Sequence, residues 1–158
     1  MLRAMRTASA GGVLLVALSL MEVTCSFLYG SEFQVPGDSM QPALTAGQTA
    51  YYRETNTFQR GDVVLFILPG DPTGRGVDRV VGLPGETVQV QGGKVLVNGK
   101  PLDEPYLKQA ATYDSISELV PTDSYFLLGD NRSTQVDSHV FGPVSRLLLQ
   151  GAISHPKL

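Results

Sequence analysis

The sequence has very few of the residues that bind metals, form disulfides or contact nucleic acids. Among its 158 residues there are one cysteine and two histidines. Cys25 cannot form a disulfide within the chain, and one cysteine with two histidines provides no metal-binding cluster. The 12 basic and 15 acidic residues include no basic run and no interleaving of basic with aromatic residues. We therefore expect no metal, no other cofactor and no nucleic-acid partner.

Long apolar runs are also scarce, with one exception at the N-terminus. Residues 8–28 are largely apolar, and Arg3 and Arg6 precede them. About 20 apolar residues span a bilayer as a helix, and basic residues before the span favour a cytoplasmic N-terminus. We expect residues 1–29 to form a cytoplasmic stub and a single transmembrane anchor in the cytoplasmic membrane, with residues 30–158 as an extracytoplasmic domain and the lipid bilayer as a partner.

A cleaved signal peptide is the main alternative for this segment, because the apolar core at residues 11–21 is short. A lipoprotein signal is less favoured, since Glu22 stands where an aliphatic residue is wanted before Cys25. The anchor and the cleaved signal peptide both place the rest of the chain across the membrane.

Beyond residue 30 the sequence has little helical periodicity, while its 17 glycines and 10 prolines imply frequent turns. Residues 87–91 and 94–97 alternate polar and apolar side chains around Gly92-Gly93, which predicts a two-residue hairpin with valines 88, 90, 95 and 97 facing the core. Further strands are expected at 32–35, 49–53, 63–68, 76–83 and 124–128, with an irregular excursion at 103–122. The predicted fold is all-β, a coiled and partly closed antiparallel barrel or pair of folded sheets, after one transmembrane helix.

Four short motifs occur in one order along this β region. They are Gly37-Asp38-Ser39-Met40-x-Pro42-x-Leu44, Arg60-Gly61-Asp62-Val63-Val64-x-Phe66, Arg79-Val80-Val81-Gly82-Leu83-Pro84-Gly85-Glu86, and Gly129-Asp130-Asn131-Arg132 followed by Asp137-Ser138 and Gly142-Pro143-Val144. Together they closely resemble the type I signal peptidases, which are membrane-anchored serine/lysine endopeptidases. The resemblance covers roughly residues 31–153 and implies cleavage of signal peptides from exported preproteins after a small-x-small sequence.

By this resemblance Ser39 is the nucleophile. A turn rich in glycine and proline exposes its hydroxyl and leaves its own backbone N–H free to bind an oxyanion. The family often adds a serine hydroxyl two residues earlier, where this chain has Gly37, so the Ser39 N–H is the expected donor. An ordinary turn serine is the alternative interpretation of Ser39.

The family's general-base lysine corresponds to Asp78 in this chain. A carboxylate with a reference pKa of about 3.9 is a far weaker base than a neutral lysine, although burial could raise that pKa. The serine that orients the lysine corresponds to Gln135, and an arginine after Asp-Ser corresponds to His139. His139 is a candidate replacement base, but a structural role in place of the arginine is favoured.

The resemblance also implies how a substrate binds. Two extended edges, Glu32 to Val35 and Arg75 to Val77, would clamp the signal peptide as an added strand. Shallow apolar pockets would be lined by Phe33, Val35, Leu44 and Val77, with Pro36 beside them and Met40 at a membrane-facing rim. Ordinary core packing is the alternative for the apolar members. Asp130, Arg132 and Asp137 are expected to form a buried network, which Gln135 and His139 would assist in supporting the Ser39 turn.

Two functions of different classes remain open. The first is a signal peptidase I-like endopeptidase working through an unusual base. The second is a catalytically silent homologue that keeps the peptide groove as a binding or assembly factor, for example in pilus or sortase systems. The missing lysine favours the second, and the intact serine turn favours the first.

Overall fold

The computed structural model describes residues 30–133 and 136–155, and its regular structure there is nearly all strand. The predicted anchor at residues 1–29 and Gln135 lie outside this part. Within the described ranges no helix is both long and apolar enough to cross a membrane. The elements are β1 Ser31–Gln34, β2 Thr49–Arg53, β3 Val63–Ile67, β4 Arg75–Gly82, β5 Thr87–Gln91, β6 Lys94–Val97, β7 Lys100–Pro101, β8 Glu118–Leu119, β9 Ser124–Leu128, α1 Ser138–Phe141, β10 Val144–Ser145, a 3₁₀ turn Arg146–Leu148, and β11 Leu149–His155.

The strands form two antiparallel sheets. The larger has seven strands in the order β1-β2-β11-β3-β4-β9-β10, and the smaller has four in the order β7-β6-β5-β8. Because the larger sheet ends in β1 and β10, it is open. The all-β, antiparallel prediction is confirmed, and β1 lies at a sheet edge as its short, proline-terminated sequence indicates.

The predicted hairpin is present between β5 and β6. Gly92 and Gly93 both have positive φ, 56° and 77°, as a type I′ turn requires. Val88, Val90 and Val95 are fully buried, and Val97 packs against the same apolar cluster from a half-buried position. Alternation along the strands therefore identifies the core face of the small sheet.

The sequence did not predict the two-residue strands β7, β8 and β10, of which β8 lies within the segment 103–122 that was expected to be irregular, and it did not predict the helix α1. Residues Ser138–Phe141 form a single helical turn, α1, whose N-cap Asp137 accepts a hydrogen bond from the backbone N–H of His139. A turn this short leaves no apolar periodicity, so only its capping residue could have indicated it.

The β4 strand has two different edges, and this difference positions the site. On one side β3 pairs with it over Arg75–Arg79, and on the other β9 pairs with it only over Arg79–Gly82. Within the described residues, Arg75 to Asp78 thus have no strand partner on the β9 side. The chain leaves β9 at Leu128 and turns through residues 129–132 toward the loop that carries Ser39.

Candidate active site

Ser39 lies in the turn between β1 and β2, and the turn after β9 holds it in place. The backbone N–H of Asn131 donates to the Ser39 carbonyl at 2.9 Å, and the Asn131 side chain donates to the Asp38 carbonyl at 3.3 Å. Gln41 donates to the Asp38 carboxylate at 2.6 Å from within the same turn. Asn131 stands in the fourth motif, but its sequence position alone did not indicate that it holds the Ser39 turn.

The Ser39 hydroxyl points at the free edge of β4. It donates to the carbonyl of Val77 at 2.5 Å, across 38 residues of sequence. Among the hydrogen bonds of the described residues, none uses the Ser39 backbone N–H as a donor. That N–H is therefore available to an oxyanion formed beside the hydroxyl.

Asp78 is the next residue along β4, and its side chain is almost completely buried. It is 3% exposed, and its Oδ1 atom has no hydrogen-bond partner. Burial raises the pKa of Asp78 well above its ordinary value, and the negative charge of Asp137 raises it further. A hydrogen bond with the Ser39 side chain opposes these effects, as does the charge of Arg132, while Asp130 adds to the rise. Burial therefore favours the neutral form of the Asp78 carboxyl, next to the serine hydroxyl.

The neighbouring charges are paired one to one. Arg79 donates two hydrogen bonds to Asp130, at 2.8 and 2.6 Å, and its guanidinium lies 4.0 Å from the centre of the Tyr106 ring. Arg132 pairs with Glu104 at 2.5 Å. Asp130 and Arg132 are buried, as expected, but their charged partners are Arg79 and Glu104, which the sequence motifs did not indicate.

His139 is part of the same network. Its Nδ1 lies 2.6 Å from Asp137 Oδ1, and its ring stacks on Tyr113 at a centroid distance of 3.9 Å. Asp137 also accepts a hydrogen bond from the backbone N–H of Gly129 at 3.3 Å. No hydrogen bond joins His139 to Ser39 within the described ranges. This geometry supports the structural interpretation of His139 and gives no support to its being the base.

A groove of about 500 Å³ opens above these residues. Ser39, Val77, Asp78 and Pro36 line it, as the resemblance implies. The other residues lining it are Gly37, Asp38, Gln41, Phe66, Leu68, Arg75, Gly76, Asn131 and Val136. Val136, which is 70% exposed and precedes Asp137 in the sequence, has a place in the groove that the sequence motifs did not indicate.

The predicted apolar pocket residues are only partly in this groove. Val35 and Leu44 are buried beneath the Ser39 turn in a cluster with Val77, and half-buried Phe33 packs against that cluster. Met40 belongs to the same cluster and is 0% exposed. The prediction that Met40 lies at a membrane-facing rim is therefore wrong: its side chain points inward and anchors the turn from below.

Within the described residues, no group of three or more histidine, cysteine, aspartate or glutamate side chains could hold a metal ion. The acidic side chains near Ser39 are instead engaged with arginine, histidine or backbone partners, apart from Asp78. The chemistry available here is that of a hydroxyl, a buried carboxyl and a free N–H.

Comparison with known proteins gives consistent matches over most of the chain. A sequence model of the family described as signal peptidase, peptidase S26, matches residues 7–156. A signal peptidase I of Leptolyngbya laminosa is 40% identical over 123 residues, 71% of this chain and 61% of that protein. Signal peptidase I V of Bacillus subtilis (strain 168) is 32% identical over 161 residues, covering 90% of this chain and 93% of its own.

Among solved structures, a crystal structure of a signal peptidase I from Enterococcus faecalis V583 is similar to this chain. It has a TM-score of 0.55 and 33% sequence identity, and the match covers 62% of this chain and 97% of that one. The chain spans about three fifths of the length of the Leptolyngbya relative.

Proposed function

Because the chain belongs to the signal peptidase S26 family, we propose that it is a serine endopeptidase that removes signal peptides from exported preproteins by cutting after a small-x-small sequence. The observation that carries the proposal is the position of Ser39. Its hydroxyl lies in a groove at the unpaired part of β4, with its own N–H free and a buried carboxyl beside it.

The substrate peptide binds as an added strand. Residues Arg75 to Val77 offer backbone donors and acceptors on the side of β4 that β9 leaves uncovered. A peptide paired there passes the Ser39 hydroxyl, which reaches the Val77 carbonyl at 2.5 Å. Pro36, Gly37 and Val77 line the groove near Ser39. A preference for small side chains there is part of the proposal and follows from the family resemblance.

Asp78 takes the serine proton when it is ionised. A buried carboxylate with a raised pKa is a stronger base than an ordinary aspartate, but it is present only when the pH approaches that raised pKa. The Ser39 oxygen then attacks the scissile carbonyl, and the Ser39 N–H donates to the oxyanion. Activity should accordingly increase with pH as Asp78 loses its proton.

Residues 1–29 are proposed to anchor this domain in the cytoplasmic membrane, with the N-terminus inside and the groove outside. The support is the apolar composition of residues 8–28 after Arg3 and Arg6. The bilayer partner follows from that anchor.

A silent peptide-binding homologue is the second candidate, because a neutral Asp78 cannot accept a proton. The extensive similarity to signal peptidases I favours the enzyme.

The test is cleavage of a small-x-small signal-peptide substrate by the full-length chain over a pH series. We expect wild type to cut with a rate that rises with pH, and Ser39→Ala to lose roughly 10³-fold or more of that rate. Asp78→Lys is the matched variant, since it introduces the family's base at the same position. Cleavage by Asp78→Lys alone, with wild type inert at every pH, would refute the enzyme proposal and leave the silent homologue.

A further inference from the structure

Three carboxyls around the groove have basic partners, whereas Asp78 and Asp38 have none in the described structure. Asp130 has Arg79, Glu104 has Arg132, and Asp137 has His139. Asp78 has no basic side chain as a partner in the described structure, and its Oδ1 makes no hydrogen bond at all. Buried polar atoms nearly always have a partner, so an unpartnered carboxyl oxygen at a binding groove is an observation that needs a cause.

The charges around Asp78 favour binding of a cation beside its carboxyl. Asp137 and Asp130 add negative potential at its carboxyl, and Arg132 opposes them. Asp38, another carboxylate, also lines the groove. Arg75 is the cationic residue among the groove's lining, and its guanidinium is bound to the carbonyls of Pro72 and Gly74, both at 3.1 Å.

From these observations we infer that the groove is a binding site for a primary ammonium group, which pairs with the Asp78 carboxylate next to Ser39. The inference rests on the proposed peptide groove and adds a preference to it. A lysine side chain of the bound peptide is one source of the group, and a small free amine is the other. An ammonium is compact and carries three donors, which suits a carboxylate that is almost completely buried better than a larger planar guanidinium does.

Occupation of the site exchanges a proton for a cation. Asp78 holds a proton in the empty groove, and an ammonium stabilises the ionised form instead. Binding therefore releases the carboxyl proton to solvent, and the ammonium keeps its own. Ser39, Asp130, Asp137 and Arg132 are the groups that act on the Asp78 carboxyl from the other elements.

The test uses calorimetry on the full-length Ser39→Ala chain, which cannot cleave its ligand. A small-x-small peptide is prepared with one lysine moved through successive positions, and a matched series carries norleucine, which has the same stem without the charge. At one position we expect the lysine peptide to bind at least about tenfold more tightly than its norleucine counterpart, equivalent to about 1.4 kcal/mol. Titration in buffers of different ionisation enthalpy should show release of up to about one proton with lysine and none with norleucine.

Variants locate the charge that is responsible. Asp78→Asn should remove both the lysine preference and the proton release. Asp123→Asn removes an exposed carboxylate that does not line the groove and should change the preference by no more than about twofold. The proton release is measured without altering Asp78, so it remains informative even when Asp78→Asn does not fold.

A titration with n-butylammonium separates the two sources. Binding that is saturable, lost in Asp78→Asn and competitive with the lysine peptide assigns the site to free amines as well as to lysine. Binding of the lysine peptide alone assigns it to the substrate chain. Equal affinity of the lysine and norleucine peptides at every position overturns the inference, while peptide binding and Ser39-dependent cleavage would still stand.

Discussion

Replacing Asp78 by asparagine should stabilise the protein at neutral pH and remove a pH dependence that wild type shows. Because burial raises the pKa of Asp78 in the folded state, its neutral form is favoured there and the folded chain holds a proton that the unfolded chain releases. The stability associated with this proton is complete below the unfolded pKa of about 3.8 and is lost as the pH rises toward the folded pKa. The expected loss is about 1.4 kcal/mol per pH unit within that window.

The measurement is the free energy of unfolding of the full-length chain by denaturant, at a series of pH values from 4 to 8. The wild-type curve should fall relative to the Asp78→Asn curve and become parallel to it once Asp78 is ionised in the folded state. Asp71→Asn is a useful control of opposite sign. Hydrogen bonds from the Thr73 side chain and backbone lower the pKa of exposed Asp71, so its contribution is present above its unfolded pKa and lost in acid. Parallel wild-type and Asp78→Asn curves across the whole range would refute the assignment of Asp78 as a buried neutral acid.

Three further predictions concern the residues around it. A Cβ at Gly37 would meet no atom within 4 Å, so Gly37→Ser should fold normally and add a second oxyanion donor. We expect kcat in the peptide assay to rise by up to roughly 10²-fold, and no gain would contradict the idea that oxyanion donors limit the rate. Asp130→Asn breaks the buried pair with Arg79 and should cost about 3–5 kcal/mol in denaturant unfolding, with Asp123→Asn at an exposed position as its matched control. A Cβ on Gly82 would approach Val88 Cγ2 to 2.5 Å, so Gly82→Ala should lower the free energy of unfolding by about 1–3 kcal/mol. Gly85→Ala is the comparison variant, because Gly85 has a positive φ but open space around it, so its effect measures backbone strain without a steric clash.

Much of the fold was predictable because its signals are local. The alternation of residues 87–97 and the glycine pair between them determine the β5–β6 hairpin, and strand β2 has the predicted bounds. The motif containing Ser39 likewise indicated an exposed turn. These features depend on neighbouring residues, so the sequence alone contains them.

The parts that sequence reasoning missed depend on residues far apart in the chain. Asn131 contacts the Ser39 turn from more than 90 positions away, and Glu104 meets Arg132 from within a segment expected to be irregular. Met40 was expected at a rim because it follows an exposed serine, yet the turn directs its side chain into the cluster under Val77. Exposure of one turn residue says nothing about the next, since consecutive side chains point in different directions.

The half-paired strand β4 has a consequence for contacts between molecules. Arg75 to Asp78 lack a strand partner on one side within the described residues, which is the arrangement by which edge strands of different molecules add to one another and aggregate. Arg75 lies at the tip of this edge, exposed and charged, where a second copy would have to approach. Charged residues are a common means of blocking such edge-to-edge pairing, so Arg75→Ala should make the protein more prone to self-association, as measured by light scattering.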